Sequence, residues 1–144
     1  MEKNLLFEQS AVFETLKELK QIGYSWNNVD YINRGRYAIV RGNPTIAILL
    51  KTEPFFNFGV KFKDQGEKGV GDSINCEALK TFISNGVEVI YTKFRDGKLY
   101  RVNIDDVLKK SHRWRQKEGT DVRSFSIHCY ERVNPTPSPN MRII

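Results

Sequence analysis

The apolar run Ile46–Leu50 constrains the fold of this chain more than any other segment. Its five consecutive apolar residues follow a Gly-Asn-Pro turn and end shortly before Pro54. A strand with one exposed face alternates apolar and polar residues, whereas a strand buried on both faces is apolar throughout. The sequence therefore predicts a central strand of an α/β sheet over Thr45–Thr52.

The first half of the chain predicts helices on either side of such strands. Apolar residues at helical spacing predict a first helix over residues 7–22, with Gly23 as its C-terminal cap. A second helix is predicted over Ser73–Asn85, with Asp72 or Ser73 as its N-cap. Tyr24–Ile32 fits either a short strand or a loop. The strands predicted between the helices are Arg36–Gly42, Thr45–Thr52 and Phe56–Lys63.

The second half of the chain predicts further strands. Val87–Phe94 reads as a strand, and Asp96-Gly97 predicts a hairpin turn into Lys98–Ile104. A short helix is predicted from Asp105 to about Ser111, and Phe125–Val133 alternates as a last strand.

Length and composition predict one globular domain over residues 1–133, with residues 134–144 as a disordered, proline-containing tail. No apolar run approaches the ~18 residues of a membrane span, and the N-terminus does not resemble a signal peptide. Cys76 and Cys129 lie far apart and have no metal-type spacing, so reduced thiols in a cytoplasmic protein are expected, with a single disulfide between them as the alternative.

The positive charge is concentrated in the second part of the chain. Residues 1–92 contain 11 Lys/Arg and 11 Asp/Glu, whereas residues 93–144 contain 12 and 6, so the net charge of +6 arises entirely there. A one-sided basic excess suits a polyanionic partner, because phosphate contacts release condensed counterions. The alternative is that the basic excess only keeps the protein in solution and binds no polyanion.

The segment Lys109–Lys117 interleaves basic residues with an aromatic one. Its cations can pair with phosphates and Trp114 can stack on a base. The alternative is a helix end with favourable cations and a Trp that packs on the domain. The candidate nucleic-acid-binding residues are Lys63, Lys109, Lys110, Arg113, Trp114, Arg115 and Lys117. Isolated His112 and His128 give no reason to expect zinc.

The predicted α-β-β-β-α-β order resembles that of the PD-(D/E)XK nuclease superfamily, in particular the archaeal Holliday-junction resolvases. The resemblance covers about residues 7–110. It implies a restriction-endonuclease-like α/β core with a mixed four- or five-stranded sheet, here with a C-terminal β extension. It also implies a metal-dependent endonuclease that uses Mg²⁺ or Mn²⁺, acts on DNA rather than RNA, and forms a symmetric homodimer.

The motif of that superfamily, two acids and a lysine on the middle strands, aligns with this chain in two ways. In the first alignment Lys51 matches the lysine and Leu49 replaces the glutamate. In the second, Lys61 matches the lysine, Gly59 replaces the glutamate, and Glu53 supplies the first acid. The second alignment is favoured because Phe56–Lys63 is the strand directly before the predicted second helix.

The resemblance makes Glu53, Lys61, Glu77, Glu14 and Lys51 the candidate catalytic residues, with Glu53 and Glu77 as metal ligands. Glu77 is the displaced acid that relatives sometimes take from the following helix, and Glu14 matches a helix-one glutamate of the resolvases. Glutamates and lysines at such positions are more often ordinary surface charges than catalytic groups. The expected function is nucleic-acid binding or processing by a nuclease-like domain with an atypical or decayed metal site. The alternatives are a non-catalytic assembly or regulatory protein with this fold, and a small α+β binding domain without a nucleic-acid role.

Overall fold

A computed structural model of the chain describes residues 2–32, 37–51, 71–115, 121–126 and 129–133. The helices within these residues are α1 (Glu2–Gln21), α2 (Cys76–Ser84) and α3 (Ile104–Lys110). The strands are β1 (Trp26–Ile32), β2 (Tyr37–Gly42), β3 (Ile46–Leu50), β4 (Gly71–Asn75), β5 (Val89–Lys93), β6 (Leu99–Asn103), β7 (His112–Arg115), β8 (Asp121–Ser126) and β9 (Glu131–Arg132).

The main sheet has six described strands in the order β1-β2-β3-β5-β6-β9. β3 and β5 run parallel, and every other neighbouring pair is antiparallel. β3 lies between β2 and β5, and Ile46, Ala47 and Ile48 are fully buried. The prediction of a central strand in a mixed α/β sheet is therefore confirmed, although the sheet has six strands rather than four or five.

Helices cover both faces of this sheet. On one face, Leu16 and Leu19 of α1 pack with alternate sheet residues such as Ala38 and Ile48. On the other face, Phe82 of α2 and Val107 of α3 join the remaining sheet residues in a second cluster. Alternation of side chains along each strand separates the two clusters, as expected for a sheet buried on both sides.

A second, three-stranded antiparallel sheet has the order β4-β8-β7. It contacts α2 and α3 and therefore lies on their side of the main sheet. The expectation of β structure at the C-terminal end is confirmed, but its predicted single strand Phe125–Val133 is wrong. β8 ends at Ser126 and joins the second sheet, whereas β9 pairs with β6 in the main sheet.

The start of α2 differs from the prediction for a physical reason. Gly71–Asn75 pairs with β8 as strand β4, so neither Asp72 nor Ser73 caps the helix. Asn75 is the N-cap, and its side-chain oxygen accepts hydrogen bonds from the backbone N–H groups of Glu77 (2.8 Å) and Ala78 (3.3 Å). Asp72 and Ser73 are placed at the helix start by local preference, but pairing with β8 makes them part of a strand.

The end of α1 follows the prediction. Gly23 has a φ of 98° and donates its N–H to the Lys20 carbonyl, while Tyr24 donates to that of Leu19. This pair of bonds is a Schellman motif, in which glycine tolerates the left-handed conformation. The chain then turns into β1, so Tyr24–Ile32 contains a strand rather than only a loop.

The predicted hairpin at Asp96-Gly97 and the short helix α3 are confirmed. β2 and β3 also pair antiparallel across the Gly-Asn-Pro turn. Part of the polar segment after α3 forms strand β7. The predicted strand Phe56–Lys63 and the tail 134–144 lie outside the described residues. In the part of the chain that the structure describes, no helix has the length and apolar character needed to span a bilayer.

Candidate functional site

The carboxyl ends of the parallel strands β3 and β5 lie side by side. Leu50 pairs with Lys93, and the backbone N–H of Lys51 donates to the Lys93 carbonyl at 2.9 Å. In open α/β sheets, ligands bind outside the carboxyl ends of parallel strands. This edge also carries Lys51, the half-buried lysine of the first motif alignment.

An ion pair joins α1 to this edge. The Lys93 ammonium lies 2.8 Å from Oε1 and 2.9 Å from Oε2 of Glu18. The Lys93 side chain is only 12% exposed, so the charge is largely withdrawn from solvent. Neither Glu18 nor Lys93 was among the site residues predicted from the sequence. The one available signal was that Glu18 lies a helical turn after Glu14, while Lys93 ends an apolar strand.

The motif position of the first alignment has an apolar environment. Leu49 is half-buried and packs against the α2-side core, and it pairs with Tyr37 on one side and Thr92 on the other. The Tyr37 ring makes an edge contact with Phe82, with ring centroids 5.0 Å apart. Hard cations such as Mg²⁺ require oxygen ligands, and carboxylates are the usual protein source. Leu49 and Tyr37 do not fit that requirement.

The described candidate acids lie on different layers. Glu14 is exposed on α1, which covers one face of the main sheet. Glu77 is in the first turn of α2, on the other face, where its 84%-exposed carboxylate lies 3.6 Å from Lys80. Glu53 and Lys61 lie outside the described residues, so the proposed metal pair Glu53–Glu77 stays a prediction. Within the described ranges, no three His, Cys, Asp or Glu residues group closely enough to hold a metal ion.

The candidate nucleic-acid-binding residues follow one another at the end of α3 and along β7. Lys109 and Lys110 are exposed in the last turn of α3. Lys110 lies 3.7 Å from Asp106, whereas Lys109 makes no ion pair with another described residue. The backbone of Arg113, Trp114 and Arg115 forms β7, at one edge of the second sheet. Lys63 and Lys117 lie outside the described residues.

Two other cations, Arg41 and Arg101, have polar partners within the fold. Arg41 donates to Asp30 of β1 and to both the carbonyl and the side-chain oxygen of Asn85. Arg101 lies 3.6 Å from Glu131. These contacts connect neighbouring strands and a helix end, so they stabilise the main sheet rather than add to a free positive surface.

A scan against protein-family models returns no match for this chain. Comparisons with curated proteins and with solved structures return no significant match either.

Proposed function

We propose that this chain binds nucleic acid through a nuclease-like domain whose metal site no longer supports hydrolysis. The observation that carries the second half of the proposal is the Leu49–Tyr37 pair. In the first alignment Leu49 occupies the position of the motif glutamate, and its strand partner Tyr37 supplies no carboxylate either, whereas a catalytic site of this kind needs carboxylates for its metal.

The sheet order supports the first alignment of the motif over the one that the sequence favours. Among the described strands of the main sheet, β3 is the last one before α2, and β5 follows α2 and runs parallel to β3. This is the order that the resemblance requires of the lysine-bearing strand. Lys51 then takes the lysine position, and Leu49 takes that of the glutamate.

The charge distribution supports nucleic-acid binding. The whole positive excess comes from residues 93–144. Lys109 and Lys110 end α3, and Arg113 and Arg115 lie in strand β7, which follows α3 directly and belongs to the second sheet. Cations that contact phosphates give affinity through counterion release, which does not require a base-specific contact.

The proposal is tested by measuring binding and cleavage on the same substrates. Fluorescence anisotropy should show binding to duplex, single-stranded and four-way-junction DNA. The logarithm of the binding affinity should fall linearly with the logarithm of the salt concentration. Incubation with Mg²⁺ or Mn²⁺ should leave the DNA intact. Absence of salt-dependent binding to all three forms would overturn nucleic-acid binding. Cleavage that is lost in Glu77→Ala or Glu53→Ala would overturn the decayed site.

A further inference from the structure

Strand β1 is an open edge of the main sheet. It pairs with β2 on one side, and no described strand pairs with its other side. Asn27, Asn28 and Tyr31 are exposed along it. An edge strand presents unpaired backbone N–H and C=O groups, to which an extended segment of another chain can add as a further strand.

The sequence of β1 lacks the features that usually prevent such pairing. Folded proteins protect sheet edges with lysine, proline, bulges or very short strands. Among the six described strands, the opposite edge β9 has only two residues, whereas β1 has seven and contains no Lys, Arg or Pro. Its one charged residue, Asp30, lies 3.3 Å from Arg41. The register irregularity is confined to Trp26–Asn28, so Val29–Ile32 remains a regular edge.

An exposed aromatic side chain lies on this edge, on the face that α1 covers. Side chains alternate between the two faces of a strand. Val29 packs in the core cluster of α1, whereas Ile32 packs in that of α2. Tyr31, two residues from Val29, therefore lies on the α1 face, where it is 39% exposed. A strand added to β1 would place its own alternate side chains next to Tyr31 on that face.

One flank of α1 lies towards this edge. Glu18 is on one side of the buried stripe of the helix and reaches Lys93 in β5. Phe13, Lys17 and Lys20 are spaced i, i+4 and i+7, so they share the flank on the other side of that stripe. Because β2 and β1 lie on the side of β3 away from β5, this second flank lies towards β1.

Phe13 and Tyr31 lie at a similar level along the sheet. The turn after Gly23 reverses the chain from α1 into β1. Phe13 is about 15 Å from Gly23 at ~1.5 Å per helical residue, and Tyr31 is about 16 Å from Trp26 at ~3.3 Å per strand residue. Phe13 is 53% exposed. The two exposed rings therefore border the same part of the edge.

The flank of α1 next to the edge is positively charged. The Lys17 ammonium lies 4.9 Å from the centroid of the Phe13 ring, and Lys20 is exposed. Neither lysine forms an ion pair with an acid in the described residues. Asp30, the acid of β1, alternates with Ile32 on the opposite face. A second copy of β1 would therefore bring no carboxylate to these lysines.

We propose that β1 binds an extended segment of a partner protein as an additional strand. The segment has apolar and acidic side chains on the face next to α1, where they contact Tyr31 and Phe13 and pair with Lys20. Main-chain hydrogen bonds to β1 give affinity, and the alternate side chains give specificity. α1 covers the face of the sheet opposite to α3, so this surface is separate from the proposed nucleic-acid surface.

Fluorescence anisotropy with a synthetic peptide tests the proposal. The probe is a fluorescein-labelled peptide of about ten residues, with valine and glutamate alternating on one face and threonine on the other. Wild type should bind it, and Tyr31→Ala or Phe13→Ala should weaken binding about tenfold. Lys20→Gln should weaken it about threefold and reduce its salt dependence. Lys109→Gln is the charge-matched control, because Lys109 is exposed on α3 and should not affect peptide binding.

N-methylation of the peptide tests strand addition itself. Backbone N–H groups of alternate residues in a strand point to the same side. Methylation of one alternate set should therefore abolish binding, whereas methylation of the other set should leave it nearly unchanged. Equal effects of the two sets would overturn the proposal.

The remaining outcomes separate this surface from the nucleic-acid surface and from self-association. Absence of peptide binding by wild type would overturn the proposal, as would equal binding of a peptide with lysine in place of glutamate. Displacement of the peptide by duplex DNA would overturn it too, because the acidic peptide would then occupy the nucleic-acid surface. DNA binding should be unchanged in Tyr31→Ala, so the two proposals fail separately. Sedimentation that revealed a dimer dissociated by Tyr31→Ala would assign the edge to a second copy instead.

Discussion

Lys93 donates to both carboxylate oxygens of Glu18, at 2.8 and 2.9 Å, and so connects the last strand residue of β5 to the helix that covers it. The Lys93 and Glu18 side chains are 12% and 30% exposed. The Lys93 ammonium has lost most of its hydration in this position. The Glu18 carboxylate is needed to offset the free-energy cost of that desolvation.

Removing one partner should therefore destabilise the fold. Lys93→Met is expected to lower the free energy of unfolding by about 1.5–3 kcal/mol, the range for hydrogen bonds to charged groups. Urea denaturation checks the value, and a double-mutant cycle with Glu18→Gln isolates the pair. The matched control is Lys80→Met, which removes a solvent-exposed pair with Glu77 and should cost less than about 0.5 kcal/mol. Equal losses in the two variants would contradict this account.

The central strand was predictable because its signal is local. Five apolar residues in Ile46–Leu50 define a two-sided strand without knowledge of what packs on it. β4 was not predictable, since Gly71–Asn75 is a strand only through its pairing with β8 much later in the chain. Local preference alone favours a helix start there, and Asp72 and Ser73 are good capping residues. Tertiary pairing overrides that preference.

The same distinction applies to the candidate site. Sequence could identify Lys51 as a lysine at the end of an apolar strand and the basic character of Lys109–Lys117. It could not identify the contact between Glu18 and Lys93, which are 75 residues apart. Nor could it identify the pairing of β7 with β8, because strand register depends on which residues the second sheet brings together.

Tyr24 should make stability fall at alkaline pH. Its hydroxyl donates to the Pro44 carbonyl at 2.8 Å. Burial, with a smaller contribution from nearby Tyr91, raises the pKa of the Tyr24 phenol above its ordinary value of about 10. The neutral phenol is thus favoured in the folded state. Its contribution is complete below pH ~10 and is lost as the pH rises through the folded-state pKa.

Tyr24→Phe is therefore expected to lower stability by about 0.5–1.5 kcal/mol at neutral pH, through the lost hydrogen bond. It should also reduce the decline of stability above pH ~10. Denaturation curves at a series of pH values measure both effects. Some decline of stability above pH ~10 should remain in Tyr24→Phe, because burial also raises the pKa of Tyr100. An unchanged alkaline decline would show that Tyr24 does not titrate differently on folding.

Gly42 has no room for a side chain. A Cβ at this position would lie 2.6 Å from the Tyr24 hydroxyl oxygen and 2.9 Å from the Ser25 carbonyl oxygen. Gly42 pairs with Trp26 at an irregularity in the β1–β2 register. Tyr24 and Ser25, which a Cβ would meet, precede Trp26 in the turn into β1. Gly42→Ala should destabilise the chain by about 1–3 kcal/mol through overpacking.

Thermal denaturation in two backgrounds tests this reason. In Tyr24→Phe the closest atom is absent, so Gly42→Ala should cost less there than in wild type, although the Ser25 carbonyl still opposes it. The same cost in both backgrounds would mean that the backbone of this turn, and not the tyrosine hydroxyl, excludes the methyl group.

Two buried threonines provide a paired test of hydrogen bonding in the core. Thr15 is fully buried and its hydroxyl donates to the Ala11 carbonyl at 2.8 Å. Thr92 is 1% exposed, and its hydroxyl oxygen has no hydrogen-bond partner within the part of the chain that the structure describes. A buried polar group without a partner costs about 1–3 kcal/mol, whereas a satisfied one contributes about 0.5–1.5 kcal/mol.

Valine has nearly the shape of threonine, so the two substitutions should have opposite signs. Thr15→Val should destabilise by about 0.5–1.5 kcal/mol, and Thr92→Val should stabilise by about 1 kcal/mol. Urea denaturation of both variants at one pH measures the difference. Thr92 pairs with Leu49, which occupies the proposed motif position. A loss of stability in Thr92→Val would therefore bear on this site. It would show that a water or ligand satisfies this hydroxyl in solution, and the apolar description of the site would then be wrong.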